Sequence, residues 1–318
     1  MIERWPDEVA RVFDEGSFCH VAVTSRFGPH LTPMVFVPSG ERLWLTTARG
    51  SVKALAWRRS LTVAGMVRGE RAAVSFTGVV RLHDALDPLT WRGTVGNAPA
   101  LAAAAVRFTR KNARFYAGYA VDARNVPLRW TPPGRVFAEV GLYRAALVDD
   151  DGGAQTWGDW WDDVSSHEKF RATRAAADPL GALPPDVREP LGTAGLGALA
   201  VEGPGGPVVV PAGWVAGAAG LFAASPVSVL SLAGCDRPTE RVALTVERPS
   251  RWRASQMIGA MAQGEGDVFA PARLSSGARS AAAIAREAGS RTDDPALVRI
   301  RPSRLVWWRG WSSGTVLP

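Results

Sequence analysis

The chain has 318 residues, 47% hydrophobic and 21% charged, and a formal net charge of +7 carried almost wholly by arginine. That length allows two domains with cores of their own, and the composition excludes disordered, collagen-like and disulfide-framework classes. No basic run is interleaved with aromatics, so the charge favours small anionic ligands over nucleic acid.

From the N-terminus, Val9, Val12 and Phe13 fall on one face of a short helix over 6–15. A strand is expected over 18–24, a Gly28-Pro29 turn, a second strand over 31–38, and a third over 43–47. Ala48-Arg49-Gly50-Ser51 then opens a helix to about Arg59, followed by strands over 61–67 and 72–82. Residues 85–120 read as mostly helical, and 136–149 as a last strand. Residues 156–174, with Trp157, Trp160 and Trp161, are expected to tie this half to the next, and the Pro- and Gly-rich stretch 178–197 reads as a linker. The uncharged stretch 214–233 is about as long as a membrane span, but it carries Pro226 and several Gly and Ser. It reads as soluble core.

The same unit then repeats. His20-Val21-Ala22-Val23 through Thr47 aligns without a gap on Ala198-Leu199-Ala200-Val201 through Ser225, at a constant offset of 178 residues. Val63 to Val67 resembles Val242 to Val246, Phe76 to Val80 resembles Met257 to Met261, and Phe137 to Val140 resembles Leu297 to Ile300, with Arg144 matching Arg304. A spacing kept across several strands points to a duplication. The expected architecture is β-dominated α+β: two split β-barrel domains with peripheral helices, packed as an internal pseudo-dimer. Their bounds are 1–150, a connecting helix and linker over 151–195, and a second barrel over 196–318.

Chemistry concentrates after the third strand. Thr46 and Thr47 end it, Gly50 permits close approach, and Ser51 caps a helix whose first turn carries Lys53, with Arg49 just before. Hydroxyls, cations and the amides of a helix start together suit a phosphate, and a charge-assisted hydrogen bond is worth about 1.5–3 kcal/mol. The spacing matches neither a Walker loop nor a dinucleotide-binding fingerprint. In the second copy the aligned residues are Ala224, Ser225, Val227, Val229 and Ser231, so every cation is gone and the second barrel is expected to be empty.

Taken in order, the Gly-Pro turn, Pro33-Met34-Val35-Phe36, Leu43 to Thr47, Arg49-Gly50-Ser51-Val52-Lys53 and Leu61 to Val67 resemble the flavin-binding split-barrel family related to pyridoxamine 5′-phosphate oxidase. The resemblance covers roughly residues 17–82, and 136–149 more loosely. It implies an FMN phosphate held by Thr46, Thr47, Arg49, Ser51 and Lys53, and an isoalloxazine ring lined by the backbone of Pro33, Met34, Val35 and Phe36. The family also includes enzymes using the deazaflavin F420, which stays open as the cofactor. Its members are commonly homodimers with sites at the subunit interface, and a fused duplicate supplies that interface within one chain. The Arg and His cluster that holds pyridoxal phosphate in the oxidase has no counterpart here.

The expected function is a flavin-dependent oxidoreductase passing a hydride or electrons between a reduced nicotinamide, NADH or NADPH, and an organic acceptor. An F420-dependent reductase and a non-catalytic flavin- or haem-binding protein are the alternatives. His20, His30, His83 and His167 show no metal spacing, and Asp159, Asp162, Asp163, His167 and Glu168 read as a solvated acidic face, so no metal is expected. Cys19 and Cys235 read as reduced and buried. A charged N-terminus without an apolar core is not a signal peptide, which points to the cytoplasm, as a monomer or homodimer with no membrane or nucleic-acid partner. Trp307-Trp308-Arg309-Gly310-Trp311 near the C-terminus reads as barrel packing and domain interface, with a place over the first copy's ligand as the alternative.

Overall fold

The computed structural model describes the chain except for residues 123, 125, 128–133, 150–151, 161–177, 219, 235–239, 251–252 and 270–294. Cys235, Trp161 and the acidic run Asp162, Asp163, His167 and Glu168 lie outside the described residues. Helix α1 (Asp7–Glu15) buries Val9, Val12 and Phe13, as its spacing requires. Strands β1 (Phe18–Ser25), β2 (Gly28–Pro38) and β3 (Leu43–Ala48) lead into helix α2 (Val52–Trp57), then β4 (Thr62–Arg68) and β5 (Ala72–His83). Helices α3 (Pro88–Gly96), α4 (Ala98–Lys111) and α5 (Ala113–Val121) precede β6 (Arg135–Asp149) and β7 (Ala154–Trp157).

These strands form one antiparallel sheet in the order β3-β2-β1-β4-β5-β6-β7, and a further β3–β6 pairing closes six of them into a barrel. Closure removes the unpaired edges an open sheet would present. The second half repeats the order as β10-β9-β8-β11-β12-β13-β14, closed by β10–β13. Its elements are β8 (Ala194–Gly203), β9 (Gly206–Gly217), β10 (Gly220–Pro226), helix α7 (Val227–Ser231), β11 (Glu240–Arg248), β12 (Ile258–Phe269), β13 (Pro295–Arg309) and β14 (Ser312–Val316). Within the uncharged stretch, residues 214–217 end β9, 220–226 form β10 and 227–231 form the short helix α7, and no described helix is long and apolar enough to cross a membrane. The stretch expected as linker is structured: a 3₁₀ turn at Pro179–Ala182 and helix α6 (Pro185–Leu191) bury Leu180, Leu183, Val187 and Leu191 against the second core. Their apolar side chains outweigh the turn-forming residues around them.

Strand registers establish which residues correspond. Val21 pairs with Gly65 and Leu199 with Leu244, so 63–67 does match 242–246. The β5–β6 ladder slips between Thr77 and Gly78, and the β12–β13 ladder between Gln263 and Gly264. Thr77 faces Arg144 there, and Gln263 faces Arg304. Gly78 therefore corresponds to Gly264, and the counterpart of Phe76–Val80 is 262–266, not 257–261. Alternating apolar patterns look alike at many registers, and only pairing decides among them. Both glycines are required by the bulge: a Cβ on Gly78 would meet the Gly141 carbonyl oxygen at 2.6 Å, and one on Gly264 would meet that of Arg301 at 2.1 Å.

The period-2 pattern serves two cores at once. In β1, Cys19, Val21 and Val23 point into the first barrel, whereas Ala22 points out and is still fully buried. Ala22, Leu31, Ala64 and Met66 pack in one cluster with Ala198, Ala200, Val209 and Ala243 of the second barrel. Ala22 and Ala200, Leu31 and Val209, and Ala64 and Ala243 are equivalent pairs, so the contact is isologous like that of a twofold dimer. Across it, Thr245 Oγ1 donates to the Leu31 carbonyl at 2.7 Å, Gln263 Nε2 donates to the Pro29 carbonyl at 2.7 Å, and His20 Nε2 meets Glu247 Oε1 at 2.8 Å. Small side chains let the two sheets approach, and buried polar partners set their register.

Candidate functional site

A cavity of about 350 Å³ lies between the two barrels, a size that suits a small ligand. From the first barrel it is lined by Pro33, Met34 and Val35 of β2, Thr46 and Thr47 of β3, and Ser51 and Lys53 around the start of α2. Seven of the nine expected site residues thus meet in one place.

Local structure explains the polar end. Ser51 Oγ accepts from the Ala54 amide at 3.1 Å, which caps α2, and shares a 2.9 Å hydrogen bond with Thr47 Oγ1. With six residues, α2 has little dipole to offer, so recognition here rests on side chains. Lys53 is 4% exposed, and its ammonium donates to Thr32 Oγ1. Burial pulls its pKa down to about 7. Burial pushes the Cys19 thiol up, which leaves it inert.

Two expected residues are elsewhere. Phe36 points into the first barrel's core and is fully buried, with the Lys111 ammonium 4.2 Å from its ring centroid. Arg49 turns away from the cavity to Asp84, with contacts of 2.7 and 3.0 Å, and Arg58 shares that carboxylate at 2.8 Å. Asp84 is 1% exposed, so it needs these partners. Replacing Arg49 by Ala is therefore expected to cost about 1–3 kcal/mol of stability in a denaturant melt. Affinity for the cavity's ligand should stay within about twofold, since Arg49 does not line it; a larger loss would place Arg49 in the site after all.

Arg135, unnoticed in the sequence, takes its place. Its Nε donates to Thr46 Oγ1 at 3.0 Å and its Nη2 to the Thr46 carbonyl at 2.8 Å, and it lines the cavity. The β3–β6 pairing sets Ala48 opposite Arg135, an adjacency that no local pattern announces. His30 and Thr32 of β2 are also walls. Burial, helped by the positive charges of Lys53 and Arg304, pushes the His30 imidazole down to about 3, so it is neutral near pH 7. Among the described residues lining the cavity there is no carboxylate.

The opposite wall comes from the second barrel: Met257, Val306, Trp307, Trp308 and Trp311. Trp307 stands across the ladder from Gly314 and Trp308 from Gly259. A Cβ on either glycine would meet the opposing indole, at 2.7 Å from Trp307 and 2.2 Å from Trp308. Bare glycine backbone thus seats each ring, which preorganises an aromatic surface. Arg253 Nη2 and Ser255 Oγ both donate to Asp122 at 2.5 Å, fastening the loop before β12 to the end of α5.

The pseudo-twofold generates a twin of this cavity, about 180 Å³, where Leu196, Pro211, Pro226 and Val148 stand for Phe18, Pro33, Ala48 and Trp308. Its polar nest is absent. Ser225 Oγ donates to the Pro211 carbonyl at 2.9 Å, Ser231 Oγ to the Ser228 carbonyl at 2.7 Å, and Val229 is core.

Residues 6–108 match the family model described as pyridoxamine 5′-phosphate oxidase. Among solved structures, a pyridoxamine 5′-phosphate oxidase-related, FMN binding protein from Nostoc punctiforme is 16% identical, over 48% of this chain and 88% of that one, with a TM-score of 0.36. A FAD-binding protein from Mesorhizobium loti is 15% identical over 44% and 89%, with a TM-score of 0.30. An F420 reductase is 17% identical over 44% and 98%, also at 0.30. No curated protein matches the chain.

Proposed function

We infer that this chain, whose first barrel belongs to the split-barrel family of pyridoxamine 5′-phosphate oxidase, is a cytoplasmic FMN-dependent oxidoreductase with one site per molecule, between the barrels. The observation that carries this is the cavity's polarity. Lys53, Arg135, Thr47 and Ser51 converge on it with no carboxylate among its described residues, and a tryptophan wall faces β2. A buried lysine whose hydrogen-bond partner is a neutral hydroxyl fits an anion, and the aromatic wall fits a planar ring.

Lys53, Ser51 and Thr47 would hold the phosphate, with Arg135 adding charge through its tie to Thr46. The β2 backbone at Pro33, Met34 and Val35 would back the ring, and Trp307 and Trp308 would exclude water from it. When bound, a flavin supplies reversible redox chemistry, and the protein supplies position and electrostatics. That division agrees with a cavity whose titratable groups are cations and a neutral imidazole. The co-substrates on this reading are a reduced nicotinamide and a small organic acceptor, and a free buried Cys19 is at home in a reducing compartment.

Titration of the purified protein with FMN, riboflavin and F420 tests the reading. FMN should bind at least about tenfold more tightly than riboflavin, because only FMN brings a phosphate to Lys53. Tighter binding of F420 than of FMN would identify a deazaflavin enzyme instead. Uptake of none of the three would overturn the flavin assignment.

A further inference from the structure

At the tip of the β1–β2 hairpin, Phe27 is 39% exposed and holds two guanidinium groups against its ring. The Arg26 Cζ lies 4.5 Å from the ring centroid, and the Cζ of Arg304, from β13 of the second barrel, lies 4.7 Å from it. Cation–π stacking engages the flat face of a guanidinium, whereas its N–H donors point outward in the plane. Arg304 donates to Thr315 Oγ1 at 3.2 Å, and neither arginine is paired with a carboxylate among the described residues. Arg241, whose stem packs on Gly28, has Glu202 beside it. Two like charges held on one ring repel, and an anion shared between them removes that cost.

This stack stands beside the cavity between the barrels. Arg304, Val306 and Trp308 alternate along one face of β13, and Val306 and Trp308 are cavity walls. At roughly 3.3 Å per residue, Arg304 lies about 13 Å along the strand from Trp308. Its positive charge also acts on His30, another wall. The duplication shows that the hairpin does not need the stack. At the offset of 178 residues, Ser25-Arg26-Phe27-Gly28 aligns with Gly203-Pro204-Gly205-Gly206, and the second barrel folds the same hairpin with neither ring nor cation at its tip. The twin cavity, where Arg144 stands for Arg304, therefore lacks this arrangement as it lacks the polar nest. Both features accompany one cavity and both are missing from the other.

We propose that Arg26, Phe27 and Arg304 form a docking platform for the diphosphate of a nucleotide, namely the ADP half of the reduced nicotinamide whose ring enters the cavity. The choice of nucleotide rests on the oxidoreductase reading above. Two guanidinium forks flanking one ring match two linked phosphate groups, and the ring keeps them from collapsing onto other partners. Calorimetric titration of the Lys53→Met variant, whose nest holds phosphate only weakly, tests the platform with ADP, adenosine and NADH. ADP should bind once per chain and adenosine at least about tenfold more weakly. NADH should bind more tightly than ADP, because its nicotinamide ring adds contacts inside the cavity. Arg26→Glu, at an exposed position, should weaken ADP and NADH by about tenfold or more, and Arg304→Gln by a smaller factor. In chains that keep Lys53, both substitutions should leave FMN affinity unchanged. Normal FMN uptake with no heat from ADP would sink the platform and spare the flavin site. ADP binding through Arg26 in a chain that takes up no flavin would uphold the platform as a nucleotide site and sink the flavin reading. The proposal also fails if adenosine binds as well as ADP, if NADH binds no better than ADP, or if neither substitution has an effect.

Discussion

Lys53→Met is expected to make the ligand-free protein more stable while depriving it of FMN. Burial draws the Lys53 pKa from 10.5 to about 7. Below pH 7 the ammonium is therefore held against its solvation preference, at a cost on the order of 4 kcal/mol. The folded pKa is the lower one, so between pH 7 and 10.5 the unfolded chain binds more protons and ligand-free stability rises with pH across that window. Methionine fills the same space without the charge and gives up only the hydrogen bond to Thr32. The melting temperature should rise by roughly 5 °C at pH 6.5. FMN affinity should fall by about 10- to 100-fold, the worth of one charge-assisted hydrogen bond to phosphate, while riboflavin affinity barely changes. In the wild type, FMN affinity should decline as pH climbs past 7, because Lys53 must take up a proton to pair with phosphate, and riboflavin affinity should not. An unaltered FMN affinity in the variant would remove Lys53 from the phosphate site.

Ala200→Asp is expected to disable the site from a position that does not line it. Ala200 is fully buried among Ala22, Leu31, Ala64 and Ala243, where the outer faces of the two barrels meet. An unpaired carboxylate there costs about 3–5 kcal/mol. The barrels can shed that cost by separating, since each retains its own core. Calorimetry should then resolve two melting transitions in place of one cooperative transition. FMN affinity should fall more than about tenfold, because the tryptophan wall arrives with the second barrel. A single transition with full FMN binding would mean that the interface is not what assembles the cavity.

Much of this architecture is legible in local pattern. Alternating apolar residues mark β1 to β6, turn chemistry at Gly28-Pro29 marks the hairpin, and Ser51 announces a helix start. The duplication shows as a preserved spacing, since both copies keep strand lengths that close the same barrel. The nest of Thr46, Thr47, Ser51 and Lys53 is readable because four side chains within eight residues stay close in any fold that ends a strand and starts a helix there. Its replacement by Ala224, Ser225, Val229 and Ser231 is equally plain.

What local pattern could not settle are the choices that depend on chain segments far apart. Arg49 belongs to the sequence neighbourhood of the nest but is drawn off by Asp84, a buried carboxylate 35 residues away. Arg135, 89 residues from Thr46, stands in the cavity because barrel closure lays β6 against β3. The same holds for Phe36, whose direction is decided by which strand face meets the core, and for the true partner of Gly78, which only the bulge reveals. Trp307 and Trp308 reach the first barrel's residues because equivalent alanine-lined faces allow two sheets to pack closely. Composition and spacing act within a few residues along the chain, whereas electrostatic pairing and sheet closure act across space, and the second kind of interaction decides which cation lines the cavity.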